Sequence, residues 1–180
     1  MIVAATLEDI PQLEILVNRA YRGDPSRKGW TTEAELLDGL RITQDGLKEL
    51  VTSNGSVILK YTNADGQLEG CVNLQAQGDQ LYLGLFSVEP ESQGKGIGKQ
   101  IMRAAEDYAK TNRFHSIVMS VISVRSELID WYKKYGYTET GQKAPFPPSH
   151  PDTGIPKRRS SSINGPPWAV SSTMNESGFQ

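Results

Sequence analysis

The chain is short of the residues that most often build disulfides and metal centres. Its 180 residues include one cysteine and two histidines. One cysteine cannot form a disulfide within the chain, and with two histidines it makes no recognisable pattern of metal ligands. We therefore expect no metal site and a reducing compartment, the cytoplasm.

Charge and long apolar runs are equally limited. The formal net charge is −2 and charged residues make up 22% of the chain, so neither a nucleic-acid surface nor a membrane surface is expected. No apolar run approaches the ~20 residues that span a bilayer, and the N-terminus lacks the basic and apolar regions of a signal peptide. The length predicts one domain with a proper core.

Glycine is concentrated at one place, between an apolar strand and a helix. The strand 81–88 is stopped by Pro90, and Gly94, Gly96 and Gly98 then open the helix. The apolar stripe of that helix is Ile97, Ile101, Ala105 and Tyr108. A glycine turn at a helix N-terminus presents unpaired N–H groups at the positive end of the helix dipole. The turn is therefore predicted to bind a phosphate-bearing ligand, with positive charge from Lys95 and Lys99 nearby.

The spacing of the glycines decides which ligand fits. Lys99 is followed by Gln100, not Ser or Thr, and the glycines do not have G-x-G-x-x-G spacing, so NTPase and dinucleotide loops are excluded. The pattern that fits is Q-x-x-G-x-G, from Gln93 to Gly98, after a Val-x-Pro strand end. It resembles the acyl-CoA loop of the GNAT family of N-acetyltransferases. A strand-to-helix turn without a ligand is the alternative.

The order of predicted elements, β-α-α-β-β-β-α-β-α-β, resembles the GNAT fold, which implies an α/β domain with a mixed central sheet flanked by helices. The first helix starts at Thr6 or at Asp9, and Pro11 favours Asp9. A short acidic helix is predicted from Glu33 to Leu40.

The C-terminal segment departs from the family. Residues 1–159 are predicted to form the N-acetyltransferase domain, and residues 160–180 a disordered or atypical tail, because this stretch is rich in Ser and carries Pro166-Pro167. The closing strand of the family is expected to be absent or vestigial. The strand 137–141 would then have an open edge at which a second copy of the chain could pair as a homodimer.

The resemblance implies acetyl-CoA as a co-substrate, held by main-chain groups. The pantetheine arm would lie along the splayed strand like an added strand, and the glycine loop would hold the pyrophosphate. The implied residues are Phe86, Ser87, Val88, Gln93, Gly94, Lys95, Gly96, Ile97 and Gly98. For Phe86 and Val88, core packing is the alternative.

A second motif, Trp131 to Tyr137, looks like the family's aromatic-Tyr-x-x-x-Gly-aromatic stretch. There the first tyrosine, here Tyr132, protonates the departing CoA thiolate. A phenol with a pKa of about 10 stays protonated at neutral pH and suits that task. The alternative is a tyrosine that only packs in the core. Where the family often has Asn, this chain has Arg125, which either reaches a CoA phosphate or the acceptor or is a solvated arginine at a helix start.

The acceptor side is less defined. The family places acceptor-binding elements near Trp30, Glu33 and Glu35. The two glutamates either attract a cationic amine or form an exposed acidic helix face, and no general base is evident. The implied function is acetyl transfer directly to a primary amine of a small molecule or peptide. A non-catalytic CoA-binding regulatory or interaction module is one alternative, and an enzyme that uses a longer acyl-CoA or a non-amine acceptor is the other.

Overall fold

The computed structural model describes residues 1–21, 37–38, 40–123, 125–145, 155–156 and 170–177. The strands in these ranges are β1 (Ile2–Ala4), β2 (Leu37–Asp38), β3 (Ser56–Thr62), β4 (Leu68–Gln77), β5 (Gln80–Val88), β6 (Ser116–Ile122), β7 (Thr138–Pro145), β8 (Ile155–Pro156) and β9 (Val170–Ser177). The helices are α1 (Ile10–Tyr21), α2 (Gln44–Thr52), α3 (Ile97–Thr111) and α4 (Ser126–Lys134).

One mixed sheet organises the described residues. Its strand order is β1-β3-β4-β5-β6-β9-β7, and all neighbours are antiparallel except β5 and β6. The parallel pair arises because α3 connects β5 to β6 as a crossover helix. The predicted α/β class, with a mixed central sheet flanked by helices, is confirmed.

Two apolar clusters hold the helices against the two faces of the sheet. Leu13 and Leu47, from α1 and α2, are buried with Ile58 of the sheet. The other face buries α3, where Ile97, Ile101 and Ala105 of the predicted stripe are at most 4% exposed. This stripe follows the helical period, so its burial fixes which side of α3 meets the sheet and directs the N-terminus of α3 at the end of β5.

Strands β5 and β6 separate after a short parallel pairing. Their pairs run only from Gln80–Ser116 to Tyr82–Val118. Further along β5, Leu85 has φ 47°, and the register with β4 shifts between Cys71 and Asn73. A bulge of this kind bends the strand and increases its twist. The last residues of β5 therefore turn away from β6 and leave an opening in the sheet.

The expectation that the closing strand is absent is wrong. Strand β9 lies between β6 and β7 and pairs antiparallel with both, for example through Met174 with Met119 on one side and Glu139 on the other. The segment shows no apolar alternation, but partners on both sides satisfy its backbone groups, which a propensity pattern cannot reveal. Residues 170–177 thus belong to the sheet.

One local expectation also needs correction. Leu37 and Asp38 form β2, paired antiparallel with β8, where an acidic helix was predicted; a partner distant in sequence overrides the local helical pattern. The rest of that stretch, apart from Leu40, lies outside the described residues. Helix α1 begins at Ile10, directly after Asp9, as Pro11 favoured. A single 3-10 turn, Leu7–Asp9, precedes it, and there the Thr6 N–H donates to the Asp9 carboxylate at 2.8 Å. None of the helices in the described ranges has the length and hydrophobicity that crossing a bilayer requires.

Candidate active site

A cleft of about 550 Å³ opens where β5 parts from β6. Its walls come from the end of α1, the end of β5, the glycine loop and α4. The lining residues are Ala20, Tyr21, Phe86, Ser87, Val88, Pro90, Gln93, Gly94, Gly96, Ile97, Gly98, Lys99, Arg125, Leu128, Trp131, Tyr132 and Tyr135. The structure therefore brings the predicted loop, the strand end and Tyr132 together.

The glycine loop leaves open space beside its backbone. Gly94 and Gly96 have φ of 78° and 81°, and a Cβ on either would project into open space. The Gln93 amide donates to the Val88 carbonyl oxygen at 3.2 Å and ties the loop to the strand end. Positive φ favours glycine, and the open space allows an anion to approach the backbone closely.

The N-terminus of α3 supplies donors to this loop. The first helical bond runs from the Gln100 N–H to the Gly96 carbonyl oxygen at 3.2 Å, so the N–H groups of the preceding residues have no acceptor within the helix. No acidic residue occupies the first turn, which leaves the positive end of the dipole uncompensated there. Lys99 lines the cleft, whereas Lys95 is exposed and is not among the lining residues.

The end of β5 offers its main chain to the opening. The Glu89 N–H donates to the Glu69 carbonyl oxygen at 2.8 Å, towards β4, and Ser87 pairs with Cys71 on the same side. Because main-chain groups alternate along a strand, those of Phe86 and Val88 face the opening. The Tyr21 hydroxyl, from α1, donates to the Phe86 carbonyl oxygen at 3.0 Å across it.

Tyr132 belongs both to the core and to the cleft. Its side chain is 4% exposed, and its ring lies 5.2 Å from that of Trp131 and 5.8 Å from that of Tyr137. Burial raises the pKa of the Tyr132 hydroxyl, Tyr21 and Tyr82 add to that effect, and the Arg125 charge opposes it. Core packing and a role as proton donor are therefore compatible at this residue.

Arg125 is not a solvated arginine. It stands at the N-cap of α4, lines the cleft and is 7% exposed. Its Nε lies 3.7 Å from a carboxylate oxygen of Glu127. A positive charge is thus built into the cleft wall close to Tyr132.

The matching family model adds the decisive comparison. Residues 54–139, which contain β3 to α4 and the whole glycine loop, match the model described as "Acetyltransferase (GNAT) domain". Over these residues, just under half of the chain, the sequence is similar to GNAT acetyltransferases. A curated relative, streptothricin acetyltransferase of Streptomyces lavendulae, is 32% identical over 80 residues, which are 43% of this chain and 42% of that protein. The chain therefore matches less than half the length of this relative.

Solved structures extend the GNAT fold over nearly the whole chain. The ribosomal-protein-alanine N-acetyltransferase of Brucella melitensis superimposes with a TM-score of 0.69 at 15% identity, covering 98% of this chain and 99% of that one. The ribosomal-protein-S18-alanine N-acetyltransferase of Escherichia coli gives 0.68 at 13% identity, with coverages of 98% and 92%. A mutant of the spermidine N-acetyltransferase of Vibrio cholerae gives 0.66 at 19% identity, with coverages of 98% and 94%. Identities this low establish the fold alone.

Among the residues that line the cleft, sequence reasoning missed Tyr21 as a site residue, whereas Tyr135 belongs to the predicted aromatic motif. Tyr21 had a weak signal, as an aromatic residue at the end of the α1 stripe, but its contact with Phe86 joins residues far apart in sequence. Trp30, Glu33 and Glu35 lie outside the described residues. Among the described side chains, no three His, Cys, Asp or Glu residues cluster so as to hold a metal ion.

Proposed function

We propose that the protein is an acetyl-CoA-dependent N-acetyltransferase that transfers the acetyl group directly to a primary amine of a small molecule or peptide. One observation carries the proposal: the glycine loop at the N-terminus of α3 and Tyr132 border the same cleft. A loop alone would support a module that only binds CoA. A tyrosine in the same cleft, which could act as a proton donor, supports turnover.

The residues of the cleft fit acetyl-CoA. The N–H groups at the start of α3, with Lys99, would hold the pyrophosphate, and Gly96 leaves room for it. Main-chain groups of Phe86 and Val88 would pair with the pantetheine arm as with an added strand. When bound, acetyl-CoA supplies a thioester carbonyl that an amine can attack.

The chain's own groups then assist the transfer. A main-chain N–H of the β5 end, aimed at the carbonyl oxygen, would stabilise developing negative charge by about 3 kcal/mol. Tyr132 would donate its proton to the departing sulfur. Cys71 does not serve as an acyl carrier, because it is 1% exposed and burial raises the pKa of its thiol to about 12.

Thiol release from acetyl-CoA against a panel of amines tests the proposal. The panel should contain polyamines, amino acids, aminoglycoside-like amines and peptide N-termini, because the acceptor class is open. Turnover with any of them, and an acetylated product by mass spectrometry, would support the enzyme. Tight CoA binding by calorimetry without thiol release would support the non-catalytic module instead.

Gly96→Val should weaken CoA binding by about tenfold or more, because the side chain would project into the space in front of the helix N–H groups. Calorimetric titration with CoA gives the dissociation constant. Valine at positive φ also strains the backbone by about 1–2 kcal/mol, so a matched control is needed.

Gly66→Val is that control. Gly66 has φ 78° and open space around its Cβ position, like Gly96, but it lies in the turn between β3 and β4. Both variants should lose similar stability in urea, and only Gly96→Val should lose CoA affinity. Equal CoA affinities in the two variants would show that this loop does not bind the phosphates of CoA.

Acceptor binding is proposed to involve Trp30, Glu33 and Glu35. Changing both glutamates to lysine should raise KM for a cationic amine by about tenfold, because close charge pairs across an interface couple by about 1.5 kcal/mol or more. KM for acetyl-CoA should not change. Unchanged amine KM in a folded variant would show that the acceptor is neutral or binds elsewhere.

We place this activity in the cytoplasm, on the support of the single, buried cysteine. Strand β7 is the last strand of the sheet, and a homodimer is proposed to pair along its outer edge. Light scattering of the purified protein would measure the mass in solution.

A further inference from the structure

We propose that Arg125 is a positioning residue for the leaving-group step: its buried guanidinium stabilises the negative charge that Tyr132 acquires when its proton moves to the CoA sulfur. The inference rests on the proposed function, because it assigns a role within that reaction. It would also explain why this chain has an arginine at a position where the family that it resembles often has an uncharged Asn.

Geometry brings the two residues together. Arg125 is the N-cap of α4, and Tyr132 lies seven residues further on, so two helical turns place both on one face of α4. Both side chains line the cleft, and they are 7% and 4% exposed. A charge and a hydroxyl this deeply buried interact with little screening by solvent.

The chemistry of Tyr132 creates the need for such a charge. Reference pKa values of about 10 for a phenol and about 8.5 for a thiol make proton transfer to the thiolate about 30-fold unfavourable. Burial raises the pKa of Tyr132 and makes the transfer harder, with Tyr21 of α1 and Tyr82 of β5 adding to the effect. A nearby cation offsets this, and the Arg125 charge does lower the pKa of Tyr132.

Arginine suits the role better than other cations, because it keeps its charge when buried. The Glu127 carboxylate forms an ion pair with this guanidinium. It lies 3.7 Å from Nε, beyond hydrogen-bond distance, and its side chain is 41% exposed to solvent. Solvent therefore screens the attraction of Glu127 more than the interaction between the buried Arg125 and the buried Tyr132.

The complete step balances as follows. The amine nitrogen forms a bond to the thioester carbon, and the C–S bond breaks with its electron pair passing to sulfur. The Tyr132 hydroxyl gives its proton to sulfur, and the resulting phenolate is held beside Arg125. The nitrogen loses one proton to solvent, and solvent returns one proton to Tyr132.

A double-mutant cycle tests the inference. Arg125→Met keeps the long apolar stem and removes the charge. We expect it to lower kcat about tenfold, with KM for both substrates and the calorimetric CoA affinity within about twofold of wild type. In a Tyr132→Phe background, where no phenolate forms, Arg125→Met should cause no further loss of kcat. Arg125→Lys should retain more activity than Arg125→Gln, which also serves if the Met variant fails to fold.

Lys99→Met is the matched control, since Lys99 is a cation that lines the same cleft at the loop. Removing the Lys99 charge should raise KM for acetyl-CoA. In the double variant with Tyr132→Phe, the two reductions in kcat/KM should multiply. Multiplicative losses for Arg125 would overturn the inference, and so would a higher KM for acetyl-CoA or amine at unchanged kcat. A wild-type protein that binds CoA but turns over no amine would instead refute the proposed function.

Discussion

Replacing Tyr132 with phenylalanine should lower kcat by about 100-fold and leave the affinity for acetyl-CoA nearly unchanged. Only the hydroxyl is lost, so the ring still packs against Trp131 and Tyr137. The departing thiolate then has no proton donor. Because burial raises the pKa of Tyr132, its hydroxyl is protonated throughout the neutral range, and the loss should be the same across that range.

Steady-state thiol release gives kcat, and calorimetry gives CoA affinity. Tyr135→Phe is the control, because Tyr135 lines the same cleft, with its ring 4.5 Å from that of Trp131. It should keep most of the activity. A wild-type kcat in Tyr132→Phe would show that this residue has a purely structural role. An equal loss of kcat in Tyr135→Phe would contradict the assignment of Tyr132 as the specific proton donor.

Deleting residues 170–180 should remove most of the free energy of unfolding. The cooperative urea transition of the full chain should therefore no longer be seen at its usual midpoint. Strand β9 fills the gap between β6 and β7, so its loss leaves both without backbone partners on that side. Each lost hydrogen bond costs about 1 kcal/mol, and a domain has only about 5–15 kcal/mol of stability in total. Loss of several bonds therefore removes most of that stability.

Urea unfolding followed by circular dichroism measures this effect. The control is removal of residues 178–180 alone, which keeps the whole of β9. That variant should unfold like the full chain. If the longer deletion kept the stability and turnover of the full chain, β9 would be dispensable.

Local sequence determined the centre of the candidate site. The glycine spacing from Gln93 to Gly98 depends on contiguous residues, because φ values and helix N-termini are local properties. The stripe of α3 and the aromatic motif around Tyr132 are equally local, since the helical period alone decides which side chains share a face. For this reason the loop, the α3 packing and the presence of Tyr132 in the cleft were predictable.

Only the tertiary structure showed the features that depend on contacts between residues distant in sequence. Strand β9 has no apolar alternation and exists through hydrogen bonds to β6 and β7. The bulge at Leu85 and the parting of β5 from β6 open the cleft, and Tyr21 reaches Phe86 across it. Arg125 is buried because the cleft walls close around it. Backbone pairing and burial are sums over residues far apart in the chain, so no local pattern encodes them.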